Sequence, residues 1–186
     1  CDGVTYEVIP EKSYGYADKN WGSDFTSPWL WISSCHMKSL LNDRILENSA
    51  VEFGGGKPKI FGKALERKLL GGLYYEGKMY DFNFSKFWNR VSIDFEFIEG
   101  EKINTWKLKA ENRTAVLNLT LDCPVDEMLF INYEAPNGSK KHNRLWNGGT
   151  GVGKIELLKK HKKGPRLIDV IEIRNVGCEY GTYDAS

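Results

Sequence analysis

The sequence predicts an all-β protein, an antiparallel barrel or strongly curved sandwich with at most one short helix. Three observations point there. Short segments alternate strictly between apolar and polar residues, the period-two pattern of strands with one buried face. Glycine is abundant at 19 residues, whereas alanine, the best helix former, occurs only seven times; that balance favours strands and tight turns. Turn residues separate the alternating segments at even spacing, as in closed barrels and sandwiches.

The elements follow in chain order. Trp29 to His36 reads W-L-W-I-S-S-C-H, an aromatic strand that turns polar. Glu47 to Phe53 alternates less cleanly and is expected to stop at Gly54-Gly55-Gly56, since consecutive glycines weaken a regular element. Ala64 to Leu70 is the one clear helix candidate, ended by Gly71-Gly72. Leu73 to Tyr75 and Met79 to Phe82 flank Glu76-Gly77-Lys78 as a hairpin with a glycine in its loop. Val91 to Phe97, Thr105 to Ala110 and Ala115 to Leu121 are strands whose apolar residues share one face, and Met128 to Tyr133 ends at Pro136-Asn137-Gly138. Gly153 to Lys159 and Leu167 to Arg174 flank a basic hairpin tip, Lys160 to Pro165.

With 186 residues, 41% hydrophobic and 24 aromatic, the chain can bury a proper core as one domain. No repeat, low-complexity tract or linker divides residues 1–186. No apolar run approaches the roughly 18 residues of a membrane-spanning helix. A net charge of +1 argues against nucleic acid as the main partner, because such proteins carry a strongly basic face. Cys1 opens the chain without Met, for which truncation is preferred to a lipidated N-terminal cysteine. Cys35, Cys123 and Cys178 lack C-x-x-C spacing and read as buried free thiols in a reducing compartment. Asn83, Asn112, Asn118 and Asn137 begin N-x-S/T sequons, read as chance matches.

Gly148 to Lys154, G-G-T-G-V-G-K, imitates a phosphate-binding loop, but Ile155 stands where a Ser or Thr would hold Mg²⁺. The segment after it reaches Gly164-Pro165 too soon for a crossover helix. A glycine-rich turn or bulge is the expected structure.

Tyr16-Ala17-Asp18-Lys19-Asn20-Trp21-Gly22, then Phe25, then Pro28-Trp29-Leu30-Trp31, resembles the tocopherol cyclase family. Tyr75-Glu76-Gly77-Lys78-Met79-Tyr80-Asp81-Phe82 looks like the family's Tyr-Asp-Gly-Lys-x-Tyr-Glu-Phe hairpin. Tyr133-Glu134-Ala135-Pro136, Leu145-Trp146-Asn147-Gly148-Gly149 and Val176-Gly177-Cys178-Glu179-Tyr180-Gly181 look like a bacterial-type branch, in the family's order. The resemblance implies a lipocalin-like β fold, shared with carotenoid hydratase-like proteins. It also implies chemistry in which a prenyl-type alkene is protonated and a phenolic oxygen closes a ring. The match is to the second, C-terminal half of members about twice this length. The first half's Phe-x-Gly-Trp-Tyr-x-Lys segment is absent here, and Thr26 replaces the usual Pro.

Such chemistry needs a general acid near a dry pocket, aromatic faces for a carbocation and a base for the phenol. Asp18 is the first candidate acid, since apolar surroundings keep a carboxyl protonated; an ion pair with Lys19 or a turn cap is the structural alternative. Lys19 either orients an oxygen or covers apolar surface with its stem. Trp21, Trp29 and Trp31 line the cavity or fill the core, and Trp29 and Trp31 share a face by parity. Glu134 and Glu179 are alternative acids or bases, or else satisfy buried N–H groups. Tyr80, Tyr133, Trp146, Asn147 and Tyr180, within the family-like motifs, complete the ligand-binding candidates. His36 and His142 are candidate proton shuttles by residue type, but three scattered histidines make no metal site. No G-x-S-x-G elbow is present, and no cofactor is called for.

The expected partner is therefore a hydrophobic prenyl or terpenoid-type molecule in an aromatic-lined barrel mouth. Acid-promoted ring closure stands beside a non-catalytic alternative, a ligand-binding or interaction module that needs an N-terminal lipocalin-like half upstream. Lys159, Lys160, Lys162 and Lys163 form either a solvated surface or a foot on an anionic membrane. A cytoplasmic or membrane-peripheral location is the corresponding expectation.

Overall fold

A computed structural model of the protein describes residues 2–9, 15, 17, 27–56, 59–60, 63–64, 68–134 and 141–183. Its strands are β1 (Trp29–Ser34), β2 (His36–Ser39), β3 (Arg44–Ile45), β4 (Ser49–Gly56), β5 (Lys59–Ile60), β6 (Lys63–Ala64) and β7 (Lys68–Tyr75). There follow β8 (Lys78–Asp81), β9 (Ser92–Ile98), β10 (Ile103–Glu111), β11 (Ala115–Pro124), β12 (Leu129–Glu134), β13 (Lys141–Lys159) and β14 (Arg166–Tyr183). Twelve form one sheet in the order β8-β7-β4-β1-β14-β13-β11-β10-β9, with β12 beside β13 and β2, carrying β3, beside β14. The pairings are antiparallel. Among the described residues no helix is long and apolar enough to cross a membrane; the helical segments are one-turn 3₁₀ pieces at Phe87–Asn89 and Val125–Glu127.

The alternation read from the sequence sets the inner face. On β10, Asn104, Trp106, Leu108 and Ala110 are buried, and on β11 Ala115, Leu117, Leu119, Leu121 and Cys123 are. Each large side chain so buried contributes about 1.5–3 kcal/mol. The sheet curls until distant strands meet. The Tyr180 ring on β14 stacks on Phe97 of β9 at 4.1 Å between centroids, and Phe97 packs edge-on against Trp106 at 5.0 Å. The terminal strands β8 and β9 are not paired, so the sheet is strongly curved but not closed. Two amides fasten that seam: Asn89 and Asn112 each donate from Nδ2 to the Asp81 carbonyl at 2.9 Å. Asn112 also accepts from the Thr114 and Ala115 N–H groups through Oδ1, both at 2.8 Å, so this sequon asparagine is a buried turn brace.

Two local expectations are corrected. Lys63–Ala64 and Lys68–Leu70 are strand, where a helix over 64–70 was expected. The Gly54–Gly56 run lies inside β4 and Gly71-Gly72 inside β7, where breaks were expected. The reason is close packing: a Cβ on Gly71 would run into the Phe53 ring and the Glu52 carbonyl, and one on Gly72 into Met79. These glycines let neighbours lie on the sheet, so their missing side chains are spaces that others fill. The glycine-rich imitation of a phosphate loop is, as expected, an irregularity in β13, whose register shifts between Gly148 and Gly151 and again before Gly153.

Candidate functional site

Parity in β1 divides its residues between two environments. Leu30, Ile32 and Ser34 are buried, whereas Trp29, Trp31 and Ser33 are half-buried on the outer face. The register then aligns three outward residues in one cross-strand row: Trp31 of β1 is opposite Glu179 of β14, and Glu179 is opposite Asn147 of β13. Trp29 stands two residues along the same face. Its indole N–H donates to Oε2 of Glu179 at 2.7 Å, and the Asn147 amide donates to Oε1 at 2.5 Å. Both carboxyl oxygens of Glu179 are thus held by neutral donors.

Leu145, two residues before Asn147 on the same face, is fully buried. Burial of Glu179 itself raises its carboxyl above the ordinary pKa, while the Trp29 hydrogen bond pulls it back in part. A carboxyl in this setting retains a proton to higher pH than an exposed one.

Beside this row, Trp29 and Trp31 form one wall of a groove of about 680 Å³ on the outer face of β1, β4, β7 and β8. Leu70, Tyr74 and Met79 supply further apolar surface, and Gly54 and Gly72 lie among its lining residues. Trp31 lies flat because glycines sit beneath it: a Cβ on Gly177 would come within 2.7 Å of the ring, and one on Gly54 within 3.5 Å. Asp81, Asn83 and Lys86 add polar groups to the lining. Asp81 accepts the Asn83 backbone N–H at 2.9 Å and pairs with the Lys86 ammonium. The groove is therefore mostly apolar, aromatic on one wall and charged in part.

The other candidates fall elsewhere. Tyr80, Trp146 and Tyr180 belong to the inner face: Tyr80 and Trp146 are buried, Trp146 packs on Phe130 at 3.6 Å between centroids, and Tyr180 stacks on Phe97. Tyr133 and Glu134 lie in β12 at the register of His142 and Lys141. Asp18, Lys19 and Trp21 lie outside the described residues. His36 is exposed, with Nδ1 3.1 Å from the Asn175 amide. Cys123 and Cys178 are buried free thiols and Cys35 is half-buried. Among the described residues no three His, Cys, Asp or Glu side chains are grouped to hold a metal.

Sequence reasoning missed the wall formed by Leu70, Tyr74 and Met79. Its signal is the even spacing Leu70-Gly72-Tyr74, visible only once the segment is read as strand. It also missed Asp169, fully buried, which accepts from Ser39 Oγ at 2.8 Å, Tyr75 Oη at 2.9 Å and its neighbour's Val170 N–H at 2.8 Å.

The fold and this site define a curved antiparallel β protein with an aromatic outer groove beside a buried carboxyl. Residues 2–182 match the family model described as tocopherol cyclase-like. The chain is 31% identical over 119 residues to a probable chloroplastic tocopherol cyclase of Oryza sativa subsp. japonica, covering 63% of this chain and 22% of that protein. It is 30% identical over 119 residues to the chloroplastic tocopherol cyclase of Zea mays, with the same coverage. The chain thus spans about 22% of the length of these curated relatives. No solved structure matches. The chain belongs to the tocopherol cyclase-like family.

Proposed function

We propose that the outer groove binds a hydrophobic prenyl or terpenoid-type molecule and that Glu179 is the proton donor for its ring closure. The observation that carries this reading is the Glu179 carboxyl, desolvated, held on Trp29 and Asn147, and set against the aromatic wall of the groove. In the reaction, Glu179 gives its proton to an alkene carbon; the π pair forms the new C–H bond and leaves a carbocation. The faces of Trp29 and Trp31 stabilise that charge. A phenolic oxygen lone pair then forms the C–O bond, and the phenol proton passes to the Glu179 carboxylate, restoring the acid. Atoms balance as an isomerisation, and no cofactor takes part. Asp18, Lys19 and Trp21 belong to the same proposal, as a second acid, an oxygen-orienting cation and a further aromatic face.

A second reading is favoured by one observation: Glu179 is not itself among the groove-lining residues, whereas its hydrogen-bond partner Trp29 is. In that reading the chain is a non-catalytic module that holds the ligand, and an N-terminal lipocalin-like half supplies the remainder. One experiment separates the two. A prenylated quinol is titrated by tryptophan quenching and then incubated for product detection by mass spectrometry, with wild type, Glu179→Gln and Trp31→Ala. Product from wild type, lost in Glu179→Gln with binding retained, supports the acid. Binding lost in Trp31→Ala with no product from any form supports the module. Absence of quenching in wild type removes the groove as a ligand site.

A further inference from the structure

The net charge of +1 conceals a strongly uneven distribution. Three segments meet at one rim of the sheet. The 3₁₀ turn Phe87–Asn89 is joined to the β10–β11 turn by the Arg113 N–H, which donates to the Asn89 carbonyl at 3.2 Å. That turn is joined to the β13–β14 hairpin tip by the Lys160 N–H, which donates to the Thr114 carbonyl at 2.8 Å. Residues 81–90, 111–114 and 159–166 together hold eight Lys and Arg and two carboxylates. Both carboxylates are already paired, Asp81 with Lys86 and Glu111 with Lys160. Arg90, Arg113, Lys159, Lys162, Lys163 and Arg166 remain, all exposed.

On the same rim stand two large aromatics with no core to enter. Phe87 is 83% and Trp88 58% exposed, and they touch only edge to face at 5.0 Å. Isolated exposed apolar residues need no explanation, but an aromatic pair that a hydrogen-bonded turn holds outward on a rim carrying six exposed cations is a different arrangement. Tryptophan and phenylalanine gain by entering the headgroup boundary of a bilayer, and lysines around them gain from anionic lipid. A solvated surface accounts for the lysines but not for the outward rings.

We propose that this rim, with Phe87 and Trp88 inserted and Arg90, Arg113, Lys162, Lys163 and Arg166 around them, docks the protein on an anionic membrane surface. The partner is a lipid bilayer because the two rings meet edge to face and stand out from the rim among the cations, whereas single-stranded nucleic acid stacks its bases on open ring faces laid along a basic groove. None of Phe87, Trp88, Lys162 or Lys163 lines the outer groove, so this inference stands or falls separately from the ligand proposed there.

The test is co-sedimentation with phosphatidylcholine vesicles, with and without phosphatidylglycerol, at low and raised ionic strength. Binding to the anionic vesicles that weakens with salt is expected. Removing Lys162 and Lys163 as alanines should weaken it about fivefold for each charge. Phe87→Ala with Trp88→Ala should weaken it by about tenfold or more. Because all four side chains are exposed, melting temperatures should match wild type, which separates lost docking from lost fold. As a second readout, brominated acyl chains should quench part of the wild-type tryptophan emission, and that part should vanish in Trp88→Phe while vesicle binding persists. Equal binding to neutral and anionic vesicles, no binding at low salt, or binding unchanged in the double aromatic variant overturns the proposal. Rim-dependent capture of an acidic protein without vesicle binding would assign the patch to a protein partner and overturn it too.

Discussion

The indole N–H of Trp29 lies 2.7 Å from Oε2 of Glu179, although 150 residues separate the two in the chain. The contact exists because β1 pairs with β14 in a register that sets Trp31 opposite Glu179 and Trp29 opposite Gly181. Trp29 therefore reaches Glu179 diagonally across the strand pair. A long-range pairing thus converts two separate motifs into one site.

Because burial raises the Glu179 carboxyl, the sign of its pH effect follows. Its ordinary value is 4.5. Above that value the unfolded chain loses this proton while the folded chain keeps it, so stability falls as pH climbs towards the raised folded value. Glu179→Gln removes that fall. Urea midpoints measured across mildly acidic to neutral pH should show a difference between variant and wild type that grows with pH and then levels. Glu76, Glu111 and Glu172 have carboxyls held below their usual range by Arg44, Lys160 and Arg174, and their opposite contribution cancels in the difference. A difference independent of pH would show that Glu179 is not desolvated.

Gly177 is the support of the aromatic wall. A methyl added there meets two ring carbons of Trp31 at 2.7 Å, closer than any relaxed contact, so the indole must lift from the sheet. Overpacking of this kind costs about 1–3 kcal/mol. Gly177→Ala should therefore lower the urea midpoint, reduce the near-ultraviolet dichroism of tryptophan and weaken ligand quenching as Trp31→Ala does. An unchanged near-ultraviolet spectrum would contradict the flat seating of Trp31.

Asp169 carries a larger structural consequence. Replacing it with alanine leaves Ser39, Tyr75 and the Val170 N–H without their acceptor in a fully buried place, at a cost of about 2–5 kcal/mol. Burial and the hydrogen bond to Asp169 push the Tyr75 phenol up to about 12. Its folded form keeps a proton that the unfolded chain loses near pH 10, so that stability is intact below about pH 10 and is lost as pH rises through 12. Ultraviolet titration should show one tyrosine lagging the others, and Asp169→Asn should bring it forward.

The strands from β9 to β11 were legible because one face is polar and the other buried, so Val91 to Leu121 carries the period of two openly. Glycines were misread because a pattern of residues cannot distinguish a break from a surface on which Phe53 or Met79 lies. Parity correctly joined Trp29 to Trp31, but which face of β1 turns outward depends on Leu30 and Ile32 meeting a core built by later strands. Glu179 and Asn147 could be named as candidates from their motifs. Their meeting on one carboxyl is a matter of register, which local sequence does not encode. Asp169 was overlooked as a buried acceptor because its donors Ser39 and Tyr75 lie 130 and 94 residues away in the chain.

The glycine run at 148–154 permits a last discrimination. If it held phosphates, its backbone N–H groups would face an open loop and MgATP would stabilise the fold by binding. In the structure Gly148 is instead packed into the core: a Cβ there would lie 2.8 Å from Cys123 Sγ, 3.2 Å from Met128 Cε and 3.3 Å from Cys178 Sγ. The two thiols crowd this position from β11 and β14, and a hydrogen bond to Cys123 together with burial pushes the Cys178 thiol well above its usual range. Gly148→Ala must spread these sulfurs apart, costing about 1–3 kcal/mol. For a domain of this size each kcal/mol lowers the melting temperature by about 2–4 °C. The variant should therefore melt several degrees lower and expose Cys123 and Cys178 to alkylation that the native protein resists, as peptide mass mapping would show. MgATP should shift neither protein; a rise in wild-type melting temperature that Gly148→Ala abolishes would restore the phosphate-loop reading.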